Sequence, residues 1–323
     1  MEEDMPDILI TGATGLIGSA VVKSFAADGH RVLAAVRNVA KAQALFGALP
    51  NVEIVTWDVT RPFDFKPSTF NFQQGLLVHA AAETTTRNFV EKPVETIASI
   101  LDGTRNVLEF ARATQVTSMV YLSSMEVYGA PTSETVTEAD IGYLDPVRLR
   151  SNYPEAKRMA ENLCVAYASE YGVPVKIARL AQTFGEGVRA EDNRVYAQFA
   201  RAVRAGRDIV LKTDGSAARC YCAVSDAVAA IRVLLEKGAN ATPYTVANET
   251  TFCSVREMAE LLIAAYPESG SKLVFDLSDE AARSYPPAAR LKLDSSRLRA
   301  LGWEPKVGLL EMYTRMMAEL PSA

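Results

Sequence analysis

The chain has 323 residues, 49% hydrophobic and 23% charged, ordinary globular values that exclude a disordered, collagen-like or low-complexity protein. Its 34 basic and 39 acidic side chains leave a net charge of −5, so no overall basic field exists to coat nucleic acid or an anionic membrane. Four cysteines, Cys164, Cys220, Cys222 and Cys253, are too few for a disulfide scaffold and lack paired C-x-x-C spacing, which points to a reducing compartment and no metal site. The acidic start Met1-Glu2-Glu3-Asp4 is no export signal, and no run approaches the ~18 apolar residues that would span a bilayer. The expectation is a cytoplasmic protein that binds neither nucleic acid nor membrane.

In chain order, short β-branched runs alternate with helical patterns through the first half, as in a parallel sheet wound by helices on both faces. Strands are predicted at Asp7–Thr11, Arg31–Val36, Val52–Trp57, Gly75–Ala80, Thr117–Ser123 and Val175–Leu180, and helices at Leu16–Ala27, Pro93–Ala113 and Pro154–Tyr171. In the last helix Met159, Leu163, Ala166 and Tyr167 make an apolar stripe that suits either the sheet or a second subunit. After about Ala181 the rhythm breaks into a loop at Gly185–Gly187, a helix near Tyr196–Ala205, a strand at Ile209–Leu211 and a closing helix near Leu309–Leu320. The expected architecture is α/β, with a doubly wound parallel sheet over residues 1–181. A smaller mixed α/β C-terminal lobe follows over residues 182–323, from which the chain can cross back to the first domain. A substrate then lies between the two, at the carboxyl ends of the strands.

Thr11-Gly12-Ala13-Thr14-Gly15-Leu16-Ile17-Gly18 follows the first strand and opens the first helix. Glycines let the backbone approach a pyrophosphate, and the helix N-terminus offers free N–H groups. Gly12, Thr14, Gly15, Leu16, Ile17 and Gly18 are therefore candidate dinucleotide contacts. The plain alternative, an ordinary strand-to-helix turn, is weakened by the βα rhythm that continues after it. The Gly12-x-x-Gly15-x-x-Gly18 spacing resembles the cofactor turn of the short-chain dehydrogenase/reductase superfamily, its extended members above all, and implies their Rossmann-type sheet. At the end of the second strand, where a carboxylate would bind an adenosine ribose diol, the chain reads Ala35-Val36-Arg37-Asn38. A guanidinium there suits a 2′-phosphate and leans toward NADP over NAD; a solvated surface arginine is the competing reading, and both cofactors stay open.

Tyr153-Pro154-Glu155-Ala156-Lys157 puts a phenol and an ammonium on one helix face. A free phenol titrates near 10, too high for a base at neutral pH, and an adjacent ammonium with a positive nicotinamide ring would lower that value. Upstream, a strand runs into Ser123-Ser124-Met125-Glu126-Val127-Tyr128-Gly129, where extended backbone would turn Ser124 and Glu126 to the same side, into the crevice. The set matches the Ser/Thr–Tyr–Lys arrangement of the same superfamily and implies catalytic roles for Ser124, Tyr153 and Lys157. Glu126 reads as a general base or hydroxyl anchor, with a solvated loop carboxylate as the alternative.

The resemblance extends over most of the chain. Trp57-Asp58-Val59 resembles the family's adenine-contacting Asp-Val, and His79-Ala80-Ala81-Ala82 its segment beside the cofactor. Asp58, Val59, Ala80, Ala81 and Ala82 thereby join Tyr153 and Lys157 as implied cofactor contacts. Arg219-Cys220-Tyr221 after Asp214-Gly215-Ser216, and Leu301-Gly302-Trp303-Glu304-Pro305-Lys306, resemble nucleotide-sugar epimerases, dehydratases and decarboxylases. The resemblance implies an NAD(P)-dependent enzyme acting on a nucleotide-diphosphate sugar by transient oxidation of a hydroxyl. In it Arg219 grips the diphosphate, and a homodimer forms through the helices at Pro93–Ala113 and Pro154–Tyr171.

Motif by motif the chain is most similar to UDP-glucuronate decarboxylases, through Ser124-x-Glu126-Val127-Tyr128-Gly129 and Lys157-Arg158-x-Ala160-Glu161, with Arg290 implied as the substrate-carboxylate arginine. Met125 stands where dehydratases carry Asp, Leu291-Lys292-Leu293 departs from the pattern past Arg290, and Ile100 replaces a frequent Asn. Epimerisation, which needs the fewest special side chains, therefore stands beside decarboxylation. Two further functions compete: a net NADPH-dependent carbonyl reductase, suggested by Arg37 and the apolar Ala80–Ala82 segment, and a non-catalytic dinucleotide-sensing protein, against which the intact Ser–Tyr–Lys set speaks. His79, Cys220 and Cys222 are expected to be packed residues.

Overall fold

The computed structural model describes residues 5–64, 70, 72–277 and 289–320. The first part of the chain runs β1 (Ile8–Thr11), α1 (Leu16–Ala27), β2 (Val32–Val36), α2 (Val39–Phe46), β3 (Val52–Thr56), β4 (Leu76–His79), α3 (Asn88–Glu91), α4 (Pro93–Thr114), β5 (Ser118–Ser124), β6 (Thr135–Val136), α5 (Asn152–Tyr171) and β7 (Val175–Leu180). The second adds β8 (Gln182–Phe184), α6 (Val195–Arg204), β9 (Ile209–Leu211), β10 (Ala218–Ala223), α7 (Val224–Lys237), β11 (Pro243–Val246), β12 (Asn248–Ser254), α8 (Val255–Ala265), β13 (Leu273–Phe275), β14 (Arg290–Leu293), α9 (Ser296–Arg299) and α10 (Leu309–Glu319).

Seven strands make one parallel sheet in the order β11-β7-β5-β4-β1-β2-β3. Its central strands are apolar on both faces because helices cover both: every residue of β1 and β2 is buried. The strand order reverses between β1 and β4, and the crevice at such a switch point opens above the carboxyl ends of the strands. The predicted strands match β1 to β5 and β7 to within a residue at each end. β11 has no counterpart among them: after building part of the second lobe the chain returns to add an edge strand beside β7.

The second lobe is built on a mixed sheet, β12-β10-β14-β6 with β8 beside β10, and a parallel pair of β9 and β13. Phe184 stacks on Tyr196 at 4.4 Å and meets Tyr221 and Tyr313 edge-on, forming this lobe's own core. The Gly302-Trp303 segment docks the closing region onto α7. Trp303 Nε1 donates to the Asp226 carbonyl at 3.0 Å, while the Asp226 carboxylate accepts from the Lys306 and Val307 N–H groups. One apolar cluster runs from Ile8 and Val21 through Leu234 to Cys220, Cys222 and Trp303, so the two lobes share a core. All four cysteines are free thiols, and among the described residues no helix is long and apolar enough to cross a membrane.

On α5 the predicted stripe divides. Tyr153, Ala156, Ala160, Cys164 and Tyr167 are buried, with Leu163 packed at their edge, whereas Met159 is 47% exposed.

Candidate active site

A cleft of about 740 Å³ lies above the carboxyl ends of the sheet and is lined from both lobes. It brings together Gly12, Thr14, Gly15, Leu16, Ile17, Gly18, Arg37, Asp58, Val59, Ala80, Ala81, Ala82, Ser124, Glu126, Tyr153, Lys157 and Arg219, which is every residue expected there from sequence except Arg290.

The glycine turn is shaped by steric necessity. Gly12 has φ +66°, and a Cβ there would sit 2.6 Å from the Ala81 nitrogen; a Cβ on Gly18 would lie 2.2 Å from the Gly12 carbonyl oxygen. α1 begins after Gly15, which offers no side-chain cap, so the N–H groups of its first turn are free to meet an anion at the cleft. This open cradle fits a dinucleotide pyrophosphate. Further along, one Asp58 oxygen accepts from the Thr60 N–H and hydroxyl at 3.1 and 2.9 Å, and the Val59 carbonyl accepts from the Asn106 amide at 2.8 Å, which fixes the loop after β3.

Tyr153 is the second residue of α5, and its ring stacks on Phe89 at 4.3 Å. Ser124 ends β5, where its hydroxyl accepts from the Glu126 N–H at 3.2 Å. Residues 125–128 form a 3₁₀ turn instead of the expected extended backbone, and Glu126 reaches the cleft from that turn. There its carboxylate pairs with Arg150 through two contacts of 3.1 Å, and the Arg150 guanidinium lies 4.7 Å from the Phe89 ring centroid.

Lys157 is buried, donates to the Leu122 carbonyl at 2.8 Å and sits 4.7 Å from the Tyr121 ring centroid. One helical turn on, Glu161 accepts from the Ser123 hydroxyl at 2.5 Å and from Arg179 at 2.8 Å, in a buried network.

Burial sets the electrostatics. It pushes the Tyr153 phenol well up, with the Glu126 charge adding to the rise; a Ser124 hydrogen bond and the Arg150 and Arg194 charges oppose it. Lys157 donates to the Leu122 carbonyl and lies over the Tyr121 face. Lys157 itself is lowered to about 8 by burial, against the supporting charge of Glu161. His79 is lowered to about 3 by burial and then by Lys157. Its ring nitrogens lie 2.7 Å from the Thr11 hydroxyl and 3.3 Å from that of Thr104, and the ring is buried, a packed histidine.

On the second-lobe side, Arg219 lines the cleft from β10 and, among the described residues, makes no ion pair. Arg194 is forked onto Asp192, with Nε 3.0 Å from one carboxylate oxygen. Gln182 also lines the cleft, and its side-chain oxygen is buried without a hydrogen-bond partner. Arg290 is exposed at the start of β14, 5.4 Å from the Phe252 ring centroid, and is not part of the lining. Sequence reasoning passed over Lys41, Arg150, Gln182, Arg189 and Arg194. Only Arg150, three residues before Tyr153, had a local signal; the others stand at helix starts, at the start of β8 and in a loop, and their approach to the cleft depends on the fold.

The profile of the NAD dependent epimerase/dehydratase family matches residues 8–248. The chain is 30% identical over 311 residues to UDP-glucuronic acid decarboxylase 6 of Arabidopsis thaliana, covering 94% of this chain and 85% of that protein. It is 29% identical over 319 residues to UDP-glucuronic acid decarboxylase 1 of Danio rerio, covering 96% and 71%. Among solved structures it resembles UDP-glucose 4-epimerase of Thermotoga maritima, with a TM-score of 0.82 and 22% identity over 97% of each chain. It also resembles a dTDP-glucose 4,6-dehydratase double mutant of Streptomyces venezuelae with NAD bound, with a TM-score of 0.77 and 22% identity over 96% and 95% of the chains. These likenesses, together with the glycine cradle and the Ser–Tyr–Lys cleft, identify the chain as a member of the NAD dependent epimerase/dehydratase family.

Proposed function

We propose that the protein modifies a nucleotide-diphosphate sugar by transient oxidation of one sugar hydroxyl, with decarboxylation of a UDP-uronate as the leading reaction. The observation that carries the reading is the convergence of Ser124, Tyr153, Lys157 and Arg219 on one cleft beside the glycine cradle. A bound NAD(P)⁺ supplies the hydride acceptor. Tyr153 would take the hydroxyl proton at its phenolic oxygen; burial raises that phenol, and Ser124, Arg150 and Arg194 are the side chains that oppose the rise. Lys157 orders the strand end through the Leu122 carbonyl, and Arg219 offers a paired guanidinium to the diphosphate. Gln182 presents its orphan oxygen to a sugar hydroxyl.

Identity to the two decarboxylases favours loss of CO₂. Epimerisation is the second reading, favoured by the position of Arg290 outside the cleft. In the first case Arg150 is the nearer candidate for the sugar carboxylate, since it already holds one from Glu126.

Arg37, at the end of β2 where an acidic residue would favour NAD, inclines the site to NADP. Residues 1–181 serve the cofactor and 182–323 mainly the substrate. Exposed Val94 and Ile97 on α4 and Met159 and Val165 on α5 suit a homodimer, and the absence of disulfides suits the cytoplasm. Incubation with UDP-glucuronate and neutral UDP-, dTDP-, GDP- and CDP-sugars, read by NMR of the products, tests the reading. Conversion that Tyr153→Phe abolishes supports it, and no conversion of any member overturns it.

A further inference from the structure

Two motifs of the sequence, Ser124-x-Glu126-Val127-Tyr128-Gly129 and Lys157-Arg158, meet in the structure at one side chain. Arg158, the residue after Lys157 on α5, donates from Nε to the Val127 carbonyl at 2.8 Å and from Nη2 to the Gly142 carbonyl at 2.7 Å. Nη1 faces the Glu155 carboxylate of the same helix at 3.8 Å, and the side chain is only 24% exposed. Unlike Glu126, Arg150 and Lys157, Arg158 is not part of the cleft lining.

What the guanidinium holds is backbone that carries the cleft. Val127 follows Glu126 in the 3₁₀ turn at 125–128 and is fully buried. Gly142 meets the same turn, donating its N–H to the Tyr128 carbonyl at 2.8 Å, and beside it the Ala130 N–H donates to the Tyr143 carbonyl at 3.0 Å. Further along the segment that begins at Gly142, Arg150 reaches the cleft and pairs with Glu126. The approach is too close for added side chains. Gly129 has φ +64°, and a Cβ there would lie 2.6 Å from the Tyr143 carbonyl oxygen and 3.0 Å from Arg158 Nη2. On Gly142 a Cβ would come within 2.2 Å of the Ala130 carbonyl carbon. A planar guanidinium fixes two carbonyls relative to one another, which the point charge of a lysine on a flexible stem does not.

We propose that Arg158 is the positioning residue for Glu126, setting the place of its carboxylate relative to Arg150 and the Tyr153 phenol. Tyr153 and Arg158 stand near the start of one helix. That helix therefore supplies Tyr153 and Lys157 to the cleft directly and Glu126 at second hand, through two charge-assisted bonds to backbone. The inference rests on the proposed oxidation of a sugar in this cleft, where Glu126 is part of the lining. It differs from a plain tie between a loop and a helix in one respect: a tie matters equally whatever side chain stands at position 126.

The test uses the full-length protein with Arg158→Lys and Arg158→Met, each made also on a Glu126→Gln background. Hydrogen exchange read by mass spectrometry reports on the turn, and steady-state kinetics with NAD(P)⁺ and whichever nucleotide sugar is converted reports on the site. Exchange should quicken in peptides spanning 125–130 and 141–150 and stay unchanged over β1 and α1. Dinucleotide affinity should stay within about twofold of the parent. Arg158→Met should lower kcat roughly ten- to a hundredfold, the scale of misplacing a group by about an ångström, and Arg158→Lys, which can keep one bond, should lower it less. On the Glu126→Gln background Arg158→Lys should cost less than about twofold, because no carboxylate remains to be misplaced. Equal fold losses on the two backgrounds would make Arg158 a structural tie and overturn the proposal. So would unaltered exchange at 125–130 and 141–150. If Arg158→Met does not fold, Arg158→Lys decides. A wild type that converts no sugar would overturn the reading of the cleft, and the exchange result would then decide separately whether Arg158 holds the turn.

Discussion

Arg150 holds Glu126 by two contacts of 3.1 Å within the cleft, and both charges act on the same phenol, that of Tyr153. Glu126 raises the phenol and Arg150 lowers it, so Arg150 offsets part of the Glu126 effect. Arg150→Met should cut kcat about tenfold, equivalent to ~1.4 kcal/mol, a modest figure because both side chains are about one-third exposed and screened by solvent. Adding Glu126→Gln should recover part of that loss. A double-mutant cycle in steady-state kinetics measures the coupling, and strictly additive losses would separate the two residues.

The ammonium of Lys157 titrates at about 8, so it is protonated below that pH and lost as pH rises through it. If turnover needs the charged form, kcat/KM falls on the alkaline side through about pH 8. Glu161 supports the ammonium from one helical turn away. Glu161→Gln should therefore move the alkaline limb to lower pH, while the amide can still accept from the Ser123 hydroxyl. A pH–rate profile that does not move would assign Glu161 to structure alone.

Acid should unfold the protein partly through His79. Its folded-state value of about 3 lies below its ordinary 6.5, so the unfolded chain binds the extra proton between those limits. The stability contributed by the neutral ring is present above about 6.5 and is lost as pH falls toward about 3, at up to ~1.4 kcal/mol per pH unit. Replacing His79 with Gln should flatten that part of the stability curve, read from urea midpoints between pH 4 and 7. Curves of equal slope for the two proteins would contradict it.

The fold is legible where local physics speaks. The central strands are continuous apolar runs because a sheet covered on both faces requires them, and α1 and β9 have the bounds that their sequence pattern predicts. β11 is not legible, since Pro243–Val246 pairs with Val175-containing β7 over a long separation and nothing local names its partner. The reach of Glu126 depends on a 3₁₀ turn at 125–128 that a strand-end reading cannot foresee. Arg290 shows the limit of motif alignment: its place along the chain suits a substrate contact, yet its side chain lies over Phe252 outside the cleft. Arg189 is the converse, a loop residue with no periodic signal that the fold brings to Thr14.

The glycine cradle should tolerate no side chain. Gly18→Ala places a methyl 2.2 Å from the Gly12 carbonyl, and backbone cannot yield as a flexible side chain would. A destabilisation of ~1–3 kcal/mol in denaturant melts is expected, with loss of dinucleotide binding measured in the same preparation. Unimpaired binding by Gly18→Ala would show that the turn does not hold the cofactor.

The central claim is that a sugar hydroxyl is oxidised and the hydride then returned, so that the cofactor is not consumed. The most direct measurement uses a nucleotide sugar deuterated at the carbon bearing the oxidised hydroxyl, with NAD⁺ or NADP⁺ well below substrate concentration, and follows the label by NMR. The account predicts many product molecules per cofactor, each keeping its deuterium. Deuterium accumulating in the reduced cofactor in step with product, with reaction ending when the cofactor is used up, would contradict it.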